Sequence, residues 1–367
     1  MSNPYDDNTS VAGNESLNIV VPKPRMPKKL SAGIAIVGCG AIGKMQLKAY
    51  KEAGWEIVMI CDNTLENAQK TRDEYFPSAL ASDSFDDVLV SEQVIVVDLA
   101  IHVINRPEYV ERAIKAGKHV LSQKPFVEYL AQGRALSELA VKHHVKLAVN
   151  HNGRWAAHFR ALKLLVDRGY IGEVFALDFA CYWGHDQLLE NHVLGKDPNL
   201  VLYDFSIHWF DIVAWMFAAK RPKSVYATVK TREGQVISAP SLASVIIEYE
   251  DVMINIAMRA SARFEDCGSF HASGTQGNIH YLGASLGGKT LHLQNHQGSG
   301  EVNIAQDWFP NALRHSMGDL LYSIENDAEP IATASSSLNG LQLCFAAIES
   351  ARTGKKVAPH TIDALPK

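Results

Sequence analysis

Gly38-Cys39-Gly40-Ala41-Ile42-Gly43 follows the apolar run Ile34-Ala-Ile-Val and leads into Lys44-Met-Gln-Leu-Lys-Ala-Tyr, a helical period. A strand that turns through Gly-x-Gly-x-x-Gly into a helix uses each glycine differently. The first makes a tight turn, the second lets a ligand approach the backbone, and the third lets helix and strand pack closely. The helix N-terminus then offers unpaired N–H groups and a partial positive charge to a pyrophosphate. About 20 residues further on, the next apolar run ends at Asp62, where a carboxylate suits adenosine ribose hydroxyls and repels a 2′-phosphate. Asn63 and Thr64 bring no cation to hold such a phosphate. These residues point to NAD as cofactor, with NADP less favoured.

The surrounding pattern agrees. Strand-like runs at 33–38, 56–61, 94–99, 119–121 and 146–150 alternate with helical stretches at 41–54, 64–75, 105–116 and 128–143. Continuous apolar strands between amphipathic helices predict an α/β doubly wound parallel sheet, ending near Asn150. Beyond about residue 172 the strands lengthen and alternate: 173–183, 223–231, 242–249, 252–259, 268–273, 277–282, 289–293 and 301–305. With helices at 155–168, 200–218, 311–326 and 337–353, this half reads as α+β on a half-buried antiparallel sheet. Residues 1–32 carry four prolines and few large apolar side chains, so they read as an arm, disordered or laid over its own or a neighbouring subunit. The expected division is an arm at 1–32, a dinucleotide-binding domain at 33–150 and a substrate domain at 151–367.

With 47% hydrophobic and 20% charged residues, the 367-residue chain can bury two cores. A net charge of −5, dispersed in both signs, argues against nucleic acid or an anionic membrane as partner. No apolar run reaches a membrane span and the first residues lack a signal-peptide core, so the cytoplasm is expected. Five scattered cysteines without a CxxC pair argue against a disulfide framework or structural zinc, and no metal is expected.

Two further signals carry chemistry. In Gly117-Lys-His-Val-Leu-Ser-Gln-Lys124-Pro125 a short strand ends in Lys-Pro, at the sheet edge where open α/β folds bind ligands. Lys124 could steady an alkoxide there or be a solvated charge. Pro125 restricts the backbone that aims it and could do so through a cis bond. Asp204 and His208 lie four apart on an expected helix, so a carboxylate would sit beside an imidazole, raise its pKa and fix its tautomer. Such a pair could equally be structural. Asp211 could be a second partner or a helix-surface charge. Tyr182-Trp183-Gly-His185-Asp186 precedes a polar loop at 184–199 that could cover a sugar or be a plain surface loop.

Taken together these motifs resemble the glucose-fructose oxidoreductase, inositol dehydrogenase and rhizopine-catabolism (Gfo/Idh/MocA) family over about residues 33 to 358. Asn152-Gly-Arg154-Trp155, Gly169-Tyr-Ile-Gly172-Glu and Ser350-Ala-Arg-Thr-Gly354 follow in the family's order. The resemblance implies a Rossmann domain plus a largely antiparallel open-sheet domain that makes homodimers or homotetramers. It implies oxidation of a hydroxyl of a sugar, polyol or related carbohydrate by hydride transfer to NAD. Lys124 takes the place of the family's catalytic lysine, stabilising the oxyanion. Asp204 and His208 take the place of its Asp-x-x-x-His pair, with His208 the general base. The expected cofactor site is Gly38, Cys39, Gly40, Ala41, Ile42, Gly43, Asp62, Asn63, Ala100, Ile101, His102, Gln123 and Lys124. The expected substrate site is Lys124, Asn152, Arg154, Trp155, Trp183, His185, Asp204 and His208.

The sequence departs from the family pattern at three places. Gln123 stands where a Glu is usual, which removes a carboxylate partner for Lys124 and should favour a lower lysine pKa. Asp98 falls in a central strand and needs a partner if buried, and His102 and Arg106 follow where Thr-Pro and a His are usual. Ser206 replaces the glycine before the catalytic histidine. The first two departures leave open a redox-neutral enzyme that recycles bound NAD through a transient keto intermediate (elimination, epimerisation or glycoside cleavage). A non-catalytic nucleotide-sensing regulator is the third possibility.

Overall fold

The computed structural model describes residues 23–29, 32–264, 266–284, 290–304 and 308–366. The apolar runs of the first third become six strands: β1 (Ile34–Val37), β2 (Ile57–Cys61), β3 (Leu80–Ser82), β4 (Val96–Leu99), β5 (His119–Ser122) and β6 (Leu147–Val149). All pair in parallel in the order β3-β2-β1-β4-β5-β6. Between them run α1 (Ala41–Ala53), α2 (Leu65–Tyr75), α3 (Phe85–Val90), α4 (Arg106–Lys115) and α5 (Leu130–Lys142). The strand order reverses between β1 and β4, so the ligand crevice of this sheet opens past their carboxyl ends, at Gly38 and Ala100. Asp98 lies in this core with the partners it requires: Tyr50 Oη and Gln46 Nε2 donate to its Oδ2 at 2.6 and 2.7 Å. Burial pushes its carboxyl up to about 7 against those two hydrogen bonds.

The second half forms α6 (Ala157–Asp167), β7 (Val174–Tyr182), α7 (His185–Leu188) and α8 (Ile207–Met216). Then come β8 (Ser224–Lys230), β9 (Leu242–Glu248), β10 (Met253–Arg259), β11 (Cys267–Gly274), β12 (Gly277–Gly283), β13 (Thr290–Asn295) and β14 (Gly298–Asn303). Their order is β14-β13-β12-β11-β7-β10-β9-β8, antiparallel throughout except between β7 and β10. Alternation decides the faces. Leu177, Phe179 and Cys181 of β7 and Ile254, Ile256 and Met258 of β10 are buried, while Asp178 and Met253 are exposed on the other face, which no described residue covers. Two last helices, α9 (Asn311–Glu325) and α10 (Ala334–Thr353), return to the first half. Leu313, Met317 and Leu320 of α9 join Ile34, Ile36 and Leu47 in one cluster, and α10 packs on α5, α8 and β8.

Residues 23–29 of the expected arm lie on this chain's own α9. Arg25 Nε donates to buried Asp319 at 2.7 Å, and the backbone N–H groups of Lys28 and Lys29 donate to Glu325. Residues 1–22 of the arm lie outside the described residues. Three small elements, β3, α3 and α7, are not among those expected, and the last strand is 298–303 rather than 301–305. The expected helix at 200–218 is broken: Val201–Phe205 form a wide π turn before α8 begins at Ile207. Ser206 closes that turn with both its N–H and its hydroxyl on the Val201 carbonyl, a feature frequent at functional sites.

Candidate active site

The glycine loop divides its labour as its spacing predicts. Gly38 has φ +100°, and a Cβ there would meet the Ala100 carbonyl at 2.7 Å and Ile101 at 2.9 Å. A Cβ on Gly43 would lie 2.1 Å from the Gly38 carbonyl, whereas one on exposed Gly40 meets nothing within 4 Å. Gly40 heads α1, whose first turn from Ala41 and Ile42 has no side-chain cap and no acidic residue. Orphaned N–H groups facing open space are what a dinucleotide pyrophosphate requires, so the residues present fit NAD. Asp62 Oδ2 accepts from Cys39 N at 2.7 Å, tying the end of β2 to this loop, and Asn63 beside it is exposed. Burial pushes the Cys39 and Cys61 thiols up to about 11 and 12, so both stay protonated.

This geometry separates two glycine substitutions. Gly40→Ala is expected to leave the melting temperature within about 2 °C of wild type yet weaken NAD binding at least about tenfold, by filling the approach to the phosphates. Gly43→Ala is expected to lower the melting temperature itself by several degrees, as its Cβ must displace backbone. Thermal melts and NAD titration check both; equal melting temperatures would contradict the division.

Lys124 follows β5 on the same sheet edge. Arg106, 2% exposed, positions it indirectly, donating to the carbonyls of Ile101, Gln123 and Pro125 and so clamping the loop after β4 to the loop that carries the lysine. The Lys124-Pro125 bond is cis. Gln123 Oε1 accepts from Lys124 N at 2.8 Å, so this side chain is turned to backbone. The carboxylate beside the ammonium comes from Asp204 instead: Lys124 Nζ donates to Asp204 Oδ1 at 3.0 Å and to its carbonyl at 2.8 Å.

That contact corrects the expected Asp204–His208 pair. The π turn takes Asp204 out of helical register with His208, and no hydrogen bond joins the two. Burial pushes the Asp204 carboxyl up, but Lys124 and its hydrogen bond outweigh it and hold the group below the usual carboxylate range. Nor is the His208 pKa raised. Burial, reinforced by Lys124, His151 and His185, holds the imidazole well below its ordinary value. Its Nδ1 has no hydrogen-bond partner, and a Cβ on Gly153 would lie only 3.7 Å away. His208 is therefore held neutral.

Three expected substrate residues are scaffolding. Arg154, 2% exposed, forks onto Asp211 with Nε–Oδ2 2.8 Å and Nη2–Oδ1 2.7 Å, and also donates to the Ile331 carbonyl. Asp211 is thus neither a partner of His208 nor a surface charge. Trp155 is buried in the main core, and Asn152, 1% exposed, accepts from Trp308 Nε1 at 2.7 Å. His185 does come near the lysine–aspartate pair, since Asp204 and Lys124 both act on its charge, and it stacks on Phe205 at 4.6 Å beside half-buried Trp183. Burial lowers the His185 imidazole to about 4, against Asp204. His102 is exposed on the loop after β4, its Nδ1 accepting from Ile104 N at 3.4 Å.

Sequence reasoning missed His151, fully buried past β6, whose Nε2 lies 3.7 Å from Asp211. Burial, opposed by Asp211, leaves it neutral with a pKa of about 4. Its place just past a strand's carboxyl end was the available signal. Among the described residues no three His, Cys, Asp or Glu are arranged to hold a metal ion, and no helix is long and apolar enough to cross a membrane.

Comparison with known proteins agrees with this architecture. Residues 32–151 match the Gfo/Idh/MocA "Oxidoreductase family, NAD-binding Rossmann fold", and residues 159–280 match the "GFO/IDH/MocA C-terminal domain". A D-apiose dehydrogenase of Paraburkholderia graminis is 24% identical over 346 residues, 90% of either chain. An inositol 2-dehydrogenase of Gluconacetobacter diazotrophicus is 27% identical over 192 residues, 51% of this chain and 55% of its own. An Agrobacterium radiobacter oxidoreductase, solved with NAD+, L-tartaric acid and magnesium, superimposes with a TM-score of 0.80 at 20% identity, covering 90% of this chain and 99% of its own. With both family matches in sequence order and the NAD-binding loop in place, the chain belongs to the Gfo/Idh/MocA oxidoreductases.

Proposed function

We propose that this protein oxidises a secondary or primary hydroxyl of an uncharged sugar or polyol, with NAD as acceptor, using Lys124 and His208. The observation that carries this reading is Lys124, held by Asp204, with a neutral His208 near enough for the ammonium to lower its pKa. An ammonium has three donors, and Asp204 occupies two of those on Lys124. The third can hold the substrate oxygen and stabilise its developing negative charge. Neutral His208 accepts the hydroxyl proton, and Asp204 positions the lysine rather than the histidine. Gly38 to Gly43, Ala100 and Ile101 would hold the cofactor, with Asp62 at its ribose. When bound, NAD supplies the two-electron acceptor for the carbinol carbon. Trp183 and His185 offer a ring face to a carbohydrate.

NAD is favoured over NADP because Asp62 would repel a 2′-phosphate and Asn63 and Thr64 cannot bind one. Two residues of the second departure from the family pattern, Asp98 and Arg106, are buried and hydrogen-bonded to protein groups of the first domain, so they lend no support to redox-neutral chemistry. We further propose a cytoplasmic homo-oligomer closed through the bare face of the second sheet. The test is incubation with NAD or NADP and a panel of sugars and polyols that includes D-apiose and inositol. Expected is stoichiometric reduction of added NAD by at least one of them. Tight NAD binding without reduction by any would overturn the reading.

A further inference from the structure

The uncovered face of the second sheet carries a row of imidazoles. Strand register sets His271 of β11 opposite His280 of β12, and His280 opposite His292 of β13. The rings lie nearly parallel, with centroids 6.1 Å apart at 12° and 4.8 Å apart at 14°. A carboxylate stands at each end. Asp178 of β7 is the register partner of His271, and Glu301 of β14 lies 3.2 Å from His292 Nδ1. Asn255 Nδ2 donates to Asp178 at 2.6 Å. His280 in the middle has no such partner: Ser269, Ser273, Asn278, Leu282, Thr290 and Gln294 surround it on this face, none of them charged.

One row across the middle of this face is small. Ala257, Ala180 and Ser269 are consecutive register partners across β10, β7 and β11, and Met253 and Ile246 stand exposed near them. Small side chains in rows let two sheets stack about 10 Å apart. Eight strands about 4.8 Å apart and roughly seven residues long span on the order of 900 Å², about what one partner contributes to a stable dimer. A two-fold axis along the strands would set the ladder against the β8–β10 side of the partner. An axis across the strands would set it against its own copy. Either way the imidazoles are buried.

With this face closing on a second copy of the chain, we propose that the His271–His280–His292 ladder gates the closure, holding at neutral pH and opening as the imidazoles protonate. This rests on the homo-oligomer reading above and adds its regulation. Closure buries the ladder and penalises its charged form, so the dimer binds fewer protons than two monomers, and falling pH drives them apart. Burial and the two flanking imidazoles already lower the pKa of His280 in the single chain. Charging adjacent stacked rings also adds like-charge repulsion that Asp178 and Glu301, at the ends, relieve only for His271 and His292.

Sedimentation velocity at pH 7.5 and 5.5, with circular dichroism confirming the fold at both, tests this. The wild-type dimer is expected to weaken at least about 100-fold between the two, one net proton giving tenfold per pH unit. His271→Gln/His280→Gln/His292→Gln is expected to stay dimeric at both pH values, and His280→Gln alone to lose part of the dependence. Ala257→Arg is expected to be a folded monomer at both. A wild-type monomer at pH 7.5, or a dimer indifferent to Ala257→Arg, overturns the oligomer reading and this inference together. A dimer that Ala257→Arg breaks but pH does not, or a triple variant as pH-sensitive as wild type, overturns the ladder alone.

Discussion

Lys124→Met is expected to lower kcat/KM by about 10²- to 10³-fold, the cost of removing one preorganised donor from a developing oxyanion. Methionine keeps most of the length and loses all three N–H donors. The effect should fall on kcat more than KM, because a neutral hydroxyl gains far less from an ammonium than an alkoxide does. The substitution also strips Asp204 of its counter-ion, so its carboxyl should titrate higher; Lys124→Met/Asp204→Asn separates that effect from the loss of the donor. If the double variant recovers most of the activity, Lys124 is a structural charge. Steady-state kinetics under saturating NAD decide between these outcomes.

Arg154→Ala is expected to destabilise the fold by about 3–5 kcal/mol, as breaking a buried ion pair leaves an uncompensated charge. Asp211 is 1% exposed and would lose both prongs of the Arg154 fork, and the Ile331 carbonyl would lose its donor. A group binding substrate at the surface of a cleft would produce no such loss. Urea denaturation measures it, and a change under about 1 kcal/mol would return Arg154 to the substrate site. Arg154→Met/Asp211→Leu should recover much of the stability, since an apolar pair of similar volume often matches a buried ion pair.

Those two residues mark where the sequence was legible and where it was not. The glycine loop could be read in advance because the positive φ of Gly38 and the close approach of Gly43 to the Gly38 carbonyl are demands set within the loop itself. The alternation that separates the two sheets was equally plain, because burial on one face or two leaves different periods in the strands. Arg154 was misread because its partner is 57 residues away, and an arginine in a buried fork looks no different in sequence from one awaiting a ligand. Asp204 and His208 failed for a subtler reason. Their spacing assumes about 3.6 residues per turn, and the π turn at Val201–Phe205 breaks that register just where Asp204 sits. The strand Leu80–Ser82 leaves no signal because it carries no apolar run, only a Leu80 that is itself exposed.

The account stands on a neutral imidazole acting as base beside a paired lysine, and the pH dependence of kcat/KM with NAD and an active sugar tests it most directly. The unprotonated form of His208 is the working one, and burial lowers its pKa, so activity present at high pH should persist as pH falls through about 6.5, the ordinary imidazole value. It should decline only well below that value. His208→Asn should leave a residual rate without that limb, with the oligomeric state checked at each pH. A limb centred at or above about 6.5 that His208→Asn abolishes would mean a carboxylate-supported histidine and contradict the arrangement of Lys124, Asp204 and His208 described above.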